Sequence, residues 1–325
     1  MKKVVWLLLD DRMGSVNQAK GVAQALDEQK FQVVEKKIVY NFWAALPNVV
    51  KGASLIGLTS ESKAELSEPY PDLAISASRR TASVARYLKK KSHGRTKIVQ
   101  ILHPGCEIDD FDLMFLPEHD SDKKSNEKTF YVVGSPHRIT DKTLGEAREK
   151  WQKQFEVLPQ PLTALIIGGS IKKVPFSLEN AAALSQQVLY FWSQKKGSLL
   201  ITDSKRTGSE AREYILEALK EIPAHKFIWG DTGDNPYLGY LACADHIIVT
   251  GDSVSMCSEA CGAGKPVYIF SGKKWLTQKH YRFVHSLIKS KYATELNSEN
   301  FDFKSTSKLN SAKQIADKIQ EDLFS

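Results

Sequence analysis

Cysteine is scarce in this chain, and none of it is paired. The four cysteines, Cys106, Cys243, Cys257 and Cys261, include no C-x-x-C spacing, which argues against a zinc-ribbon or thioredoxin-type motif. Cys257 and Cys261 would share a helix face, with His246 as the only imidazole nearby. Two thiols and one imidazole do not complete a structural zinc site, so they read as buried, reduced thiols of a cytosolic protein, with no metal. Long apolar runs are also missing. The run at 4–9 ends at Asp10 and Asp11, whereas a secretory h-region needs about 7–15 apolar residues and a spanning helix about 20. No signal or span is expected, and the chain reads as cytoplasmic. The two common phosphate-loop signatures are absent as well. Gly264-Lys265 suggests a P-loop, but Glu259 stands where the first glycine is needed and Pro266 where Ser or Thr is needed. No G-x-G-x-x-G follows a strand.

What remains is ordinary globular composition, 42% hydrophobic and 26% charged, over 325 residues. That length suits two α/β domains of roughly 100–200 residues each. The net charge of +7 favours anionic partners: nucleotide diphosphates, nucleic acid or an acidic membrane leaflet, among which charge alone does not choose.

Apolar runs alternate with helical patterns along the chain. In the first half, strands are expected at 4–9, 31–38, 72–76, 97–102, 112–116 and 129–133, with helices at about 16–27, after Ser78 to about 91, and at 141–155. The break at Leu158-Pro159-Gln160-Pro161 sets the expected domain boundary. The second half then offers strands at 162–167, 198–202, 226–229, 246–250 and 267–270. Its helices fall at 178–193, 209–219, 255–263 and 311–323. Such alternation predicts parallel sheets covered by helices.

Polar clusters fall at the carboxyl ends of these strands, where open α/β sheets bind ligands. Gly168-Gly169-Ser170 could let backbone N–H groups approach a phosphate, or could simply turn the chain. Ser204-Lys205-Arg206-Thr207 offers hydroxyls, cations and a helix start to a diphosphate; the plainer reading is capping, with Thr207 as N-cap. The segment from Asp252 through Ser253 and Ser255 to Glu259 opens a helix of small residues. Glu259 could accept from two ribose hydroxyls, or could merely favour the helix dipole. In the first half, Asp10-Asp11-Arg12-Met13-Gly14 leads into a helix bearing Asn17 and Gln18, and could hold an acceptor or supply a base. Ser78-Arg79-Arg80-Thr81 repeats the strand-to-basic-helix pattern. His103, His119 and His137 also lie near strand ends.

At these segments the chain resembles the "elongated mitochondria" proteins of plant mitochondrial fission and their bacterial relatives. The resemblance rests on Asp11-Arg12-x-Gly14-x-x-x-Gln18, Ser78-Arg79-Arg80-Thr81, Phe111-Asp112 with Pro117-x-His119-Asp120, and Gly168-Gly169-Ser170. It continues through Thr202-x-Ser204-x-Arg206-Thr207, Asn235-Pro236-Tyr237, Ala244-Asp245, and Asp252-Ser253-Val254-Ser255-Met256-x-Ser258-Glu259-Ala260 with Gly264-Lys265-Pro266-Val267. Two positions depart from it: Lys205 replaces a second arginine, and Gly251 an acidic residue.

The resemblance implies an α/β fold of two Rossmann-like domains facing a central cleft, as in the GT-B superfamily. The domains would span 1–158, on the acceptor side, and 159–325, on the nucleotide-sugar side, with the last helix returning to the first. It implies that Glu259, through the Glu-x-x-x-x-Gly-x-Pro pattern with Gly264 and Pro266, holds a ribose. The expected function is transfer of a sugar from a nucleoside diphosphate sugar to an unknown acceptor, with no tightly bound cofactor. The alternatives are an adaptor, because plant members are described as recruiting a dynamin-like GTPase, and a nucleotide-sugar epimerase. Asp11 and His119 are the candidate bases. Arg12, Gly14, Gln18, Ser78, Arg79 and Arg80 are candidates for substrate binding in the first domain. Their counterparts in the second are Gly168, Gly169, Ser170, Ser204, Arg206, Thr207, Asn235, Tyr237, Asp252, Ser253, Ser255 and Glu259. The chain lacks a long plant-type extension, so a bacterial source is expected. A location peripheral to the anionic inner membrane suits the charge, and nucleic acid is not an expected partner.

Overall fold

The computed structural model describes residues 1–106, 108–120, 126–172, 174–297, 301–305 and 307–325. It divides into two compact units, Met1–Arg138 with Asn310–Ser325, and Ile139–Leu309. The first unit runs β1 (Lys3–Leu9), α1 (Met13–Ala25), β2 (Phe31–Lys37), α2 (Asn48–Lys51), α3 (Ser60–Ala64), β3 (Leu73–Ser76), α4 (Arg79–Lys91), β4 (Lys97–Ile101), β5 (Leu113–Pro117) and β6 (Thr129–Val132). The second runs α5 (Asp141–Phe155), β7 (Leu162–Ile167), α6 (Leu178–Lys195), β8 (Ser198–Asp203), α7 (Ser209–Ala218), β9 (Ala224–Phe227), α8 (Tyr237–Cys243), β10 (His246–Thr250), α9 (Val254–Gly262), β11 (Val267–Phe270), α10 (Gln278–Lys289) and β12 (Thr294–Glu295). The closing helix α11 (Ser311–Phe324) belongs to the first unit.

Each unit carries one six-stranded sheet, ordered β2-β1-β3-β4-β5-β6 and β12-β11-β10-β7-β8-β9, and every pairing within them is parallel. Counted from its own first strand, the second sheet reads 3-2-1-4-5-6, the order of dinucleotide-binding Rossmann folds. Strand β1 shows how the sequence builds the layers. Side chains alternate across a strand, so Val5, Leu7 and Leu9 join a core with Val22, Ile315 and Ile319. Trp6 and Leu8 join another with Val84 and Leu88. Burial on both faces explains why the inner strands are apolar throughout; all six residues of β7 are buried.

Sequence analysis set the domain break at 158/159, but the division falls at 138/139. The reason is aromatic packing. On α5, Trp151 and Phe155 stack at 5.9 Å, and Phe155 lies 5.5 Å from Tyr240 and 5.1 Å from His225. Arg148 donates to the Ala242 carbonyl. A helix that reads as charged is thereby anchored to the second unit. At the other end of the chain, α11 packs on the first unit: Phe324 meets Phe31 edge to face at 5.2 Å, and the Asp27 amide donates to Gln320.

Candidate functional site

In the second sheet the strand order reverses at β7: β8 and β9 follow on one side, and the chain then crosses back to lay β10 on the other. The carboxyl ends of β7 and β10 therefore flank a switch point, where such sheets bind ligands. A buried network fills it. Asp252, with no exposed side-chain surface, accepts from Thr250 Oγ1 at 2.7 Å and from the Gly169 amide at 2.9 Å, and pairs with Arg206 at 2.8 Å. Burial pushes the Asp252 carboxyl above its usual range, while Arg206 and the hydrogen bonds pull it back. Arg206 also donates to the Ser170 carbonyl at 2.9 Å. With two acceptors holding it and 43% of its side chain exposed, this planar five-donor group has N–H bonds beyond those two.

The glycines serve this network. The Gly168 amide donates to Thr250 Oγ1 and that of Gly169 to Asp252. The Ser170 amide donates to the Arg206 carbonyl at 2.8 Å. All three donors are thus engaged within the unit rather than turned to a phosphate. A Cβ on Gly168 would sit 2.1 Å from Asp252 Oδ1. Ser204 and Thr207 likewise fasten the loop after β8, both donating to the Gly168 carbonyl. Thr207 is not the N-cap of α7; that position is Gly208, and Ser204 caps the preceding 3-10 turn.

Ser253 caps α9, accepting from the Met256 amide, and Ser255 is exposed in its first turn. Further along α9, Glu259 Oε2 accepts from the Tyr237 hydroxyl at 2.6 Å. Burial raises the Glu259 carboxyl above its usual range, and the bond from Tyr237 opposes this. Burial, with the Glu259 charge, holds the Tyr237 hydroxyl protonated. Asn235 accepts from the Tyr237 amide at 2.9 Å and so fixes the start of α8. The candidates thus form two groups, one around Asp252 and Arg206, the other at Tyr237 and Glu259, joined by α9. Sequence reasoning placed Thr250 in the polar cluster at the end of β10 but gave it no role, although it is the hub of the first group. Sequence reasoning missed His280 on α10, a half-buried imidazole acted on by the Asp252 and Arg206 charges. The helical spacing of the apolar Phe283, Val284 and Leu287 was the available sign of that helix.

In the first unit, Asp11 pairs with Arg80 at 2.5 Å, and Arg80 lies over the Tyr40 ring at 4.5 Å. The hydrogen bond from Arg80 chiefly holds the Asp11 carboxyl below its usual range. Asp11 is thus a carboxylate with little affinity for a proton. Ser78 caps α4 through the Arg80 and Thr81 amides. Arg12 and Gly14 are exposed. Gln18 is half-buried, with its side-chain oxygen lacking a hydrogen bond. His119, 4% exposed, follows β5, three strands from β1. At about 4.8 Å per strand that is roughly 14 Å, so Asp11 and His119 do not form a pair. Among the described residues, no three His, Cys, Asp or Glu side chains gather so as to hold a metal ion, and no helix is long and apolar enough to cross a membrane.

Two parallel α/β units with these strand orders give the chain a GT-B-like fold. The structure of UDP-GlcNAc 2-epimerase from Neisseria meningitidis bound to UDP-GlcNAc superposes with a TM-score of 0.56 at 14% identity, covering 98% of this chain and 99% of that one. The chain belongs to the Mitochondrial fission ELM1 family, whose pattern matches residues 13–323. An uncharacterised protein of Rickettsia prowazekii is 32% identical over 97% of both chains. The mitochondrial fission protein ELM1 of Arabidopsis thaliana is 26% identical over 83% of this chain and 68% of its own.

Proposed function

We propose that the chain binds a nucleoside diphosphate sugar on its second unit and transfers the sugar to an acceptor. The observation that carries this reading is the pairing of two polar groups along α9 at the switch point. Ser253 and Glu259 are six residues apart, about 9 Å along the helix axis. The start of α9 and the free donors of Arg206 would take the diphosphate. Glu259, with Oε1 left open by the Tyr237 bond, would take the ribose. As the sugar departs, negative charge builds on the diphosphate, and fixed donors there would lower the barrier. Epimerisation is the weaker reading, because it needs an acid and a base at the sugar. The proton-poor Asp11 and the buried His119 do not supply such a pair. A second reading is an adaptor that does no chemistry; membership of a family described by mitochondrial fission, with no reaction in its description, is compatible with it. A chain with a net charge of +7 also suits an acceptor presented at an anionic membrane surface.

Titration calorimetry with UDP and UDP-GlcNAc on the wild type and Glu259→Gln tests the reading. A charge-assisted hydrogen bond contributes about 1.5–3 kcal/mol, so Gln should weaken nucleotide binding at least about tenfold. The wild-type affinity should also fall on acidification. Because burial raises the Glu259 pKa above 4.5, the carboxylate is lost at a higher pH than for an exposed glutamate; Glu259→Gln should flatten this response. Without ligand, a raised folded-state pKa means the ionised form costs stability above that pKa. Glu259→Gln should therefore unfold at pH 7 no lower than wild type. Equal affinities would reject the ribose role, and a folded wild type that binds no nucleotide would leave the adaptor.

A further inference from the structure

The short helix α2 is built inside out. Its polar residues, Asn48 and Lys51, are 2% and 5% exposed, while Val49 and Val50 between them are 77% and 66% exposed. Water favours the opposite arrangement. Asn48 is held inward by carbonyls, donating to those of Arg79 and of Pro104. The apolar side does not end with α2: Phe42 is 85% exposed and Trp43 56%, in the turn just before it.

Behind this apolar rim lies a cavity of about 230 Å³ lined by Arg12, Lys51, Arg79, Arg80, Asn41 and Phe42 among others, with no Asp or Glu. Lys51 Nζ has one long bond, to the Ala44 carbonyl at 3.4 Å, and no carboxylate pairs with it among the described residues. The guanidinium groups of Arg12 and Arg79 make no ion pair or hydrogen bond among the described residues, and only Arg80 has a carboxylate partner, Asp11. Burial and the neighbouring Arg79 and Arg80 charges lower the Lys51 pKa. The first two residues of α4 are Arg79 and Arg80, so the positive end of that helix adds to the same field. Of the four cations around one cavity, three, one of them buried, have no carboxylate partner among the described residues.

We infer that this face of the first unit docks on an anionic bilayer, with Phe42, Trp43, Val49 and Val50 entering the interface and the cation-lined cavity receiving a lipid phosphate headgroup. Aromatic and aliphatic side chains beside clustered Arg and Lys match the chemistry of an interfacial surface. A soluble phosphate ester would explain the cavity but leave the apolar rim without a purpose. The inference rests on the membrane part of the proposed function and not on the nucleotide site.

Co-sedimentation of the full chain with phosphatidylcholine vesicles, with and without phosphatidylglycerol, tests it. Binding should require the anionic lipid and weaken with salt. The double variant Val49→Ser/Val50→Ser should bind at least tenfold more weakly. Lys51→Met and Arg79→Gln should each lose about fivefold, since one such charge contributes about 1 kcal/mol near an anionic surface. Because Arg79, Val49 and Val50 are exposed, those variants keep the test decisive should Lys51→Met misfold. The Val49→Ser/Val50→Ser and Lys51→Met variants should bind nucleotide as the wild type does, so failure of either site shows separately. Indifference of the wild type to anionic vesicles would overturn the inference. So would vesicle binding that survives the valine variant, or full displacement by glycerol phosphate, which would mark a site for a soluble ester.

Discussion

Gly169→Ala is expected to lower the thermal midpoint of the second unit by about 6–12 °C. The added Cβ would fall 2.1 Å from the Arg206 carbonyl carbon and 2.3 Å from the Thr207 nitrogen. Both are backbone atoms, so no rotamer change relieves the overlap. The turn after β7 would have to leave the loop after β8, losing the Ser170 to Arg206 backbone bond and displacing Arg206 from Asp252. Overpacking of this kind costs about 3 kcal/mol or more, and a unit of this size loses about 2–4 °C per kcal/mol. Scanning calorimetry of the whole chain measures it. An unchanged midpoint would mean that Gly169 does not press on the loop as described.

Arg206→Ala should cost about 2–3 kcal/mol at pH 7. Removing one partner of a buried pair costs about 3–5 kcal/mol, and the half-exposed arginine reduces this. The loss should depend on pH in a stated direction. The folded-state pKa of Asp252 is raised by burial, and Arg206 is the first influence opposing the rise. Without Arg206 it rises further, so the proton binds more tightly in the folded than in the unfolded state. Stability then falls as pH climbs through the folded pKa. Urea unfolding of the variant should show a smaller deficit at pH 5 than at pH 7.5. A deficit that is constant or larger at pH 5 would show that Arg206 acts by packing and not by charge.

The parallel α/β layering was legible because doubly buried strands are continuous apolar runs, as in β1, β7 and β11. Strand β9 was read two residues late. The site was legible as a set of strand ends, since polar residues after an apolar strand have few other places to be. Their division of labour was not. Ser78, Ser204, Thr207 and Ser253 look like ligands in sequence, yet each is occupied in capping or loop closure. Helix α8 escaped notice because it is seven residues long with Gly239 inside it. That glycine makes room for Trp151, whose ring would lie 2.5 Å from a Cβ. The break at 138/139 was hidden for a similar reason: Trp151 and Phe155 look like isolated aromatics on a charged helix until Tyr240 and His225 are placed beside them. Nothing local marks Lys51 as buried, because Asn-Val-Val-Lys reads equally well with its valines inward.

The chain leaves its first unit at Arg138 and re-enters it at Asn310. The residues that close the first core, Ile315 and Ile319, are therefore synthesised only after the whole of the second unit. During translation the second unit, continuous from 139 to 309, has all its strands while the first still lacks a covering helix. The part of the protein made first is the part finished last. Until α11 has emerged from the ribosome, the apolar face of β1 and α1 is open to chaperones or to a neighbouring nascent chain. Proteolytic removal of α11 would reopen the same face in the folded protein.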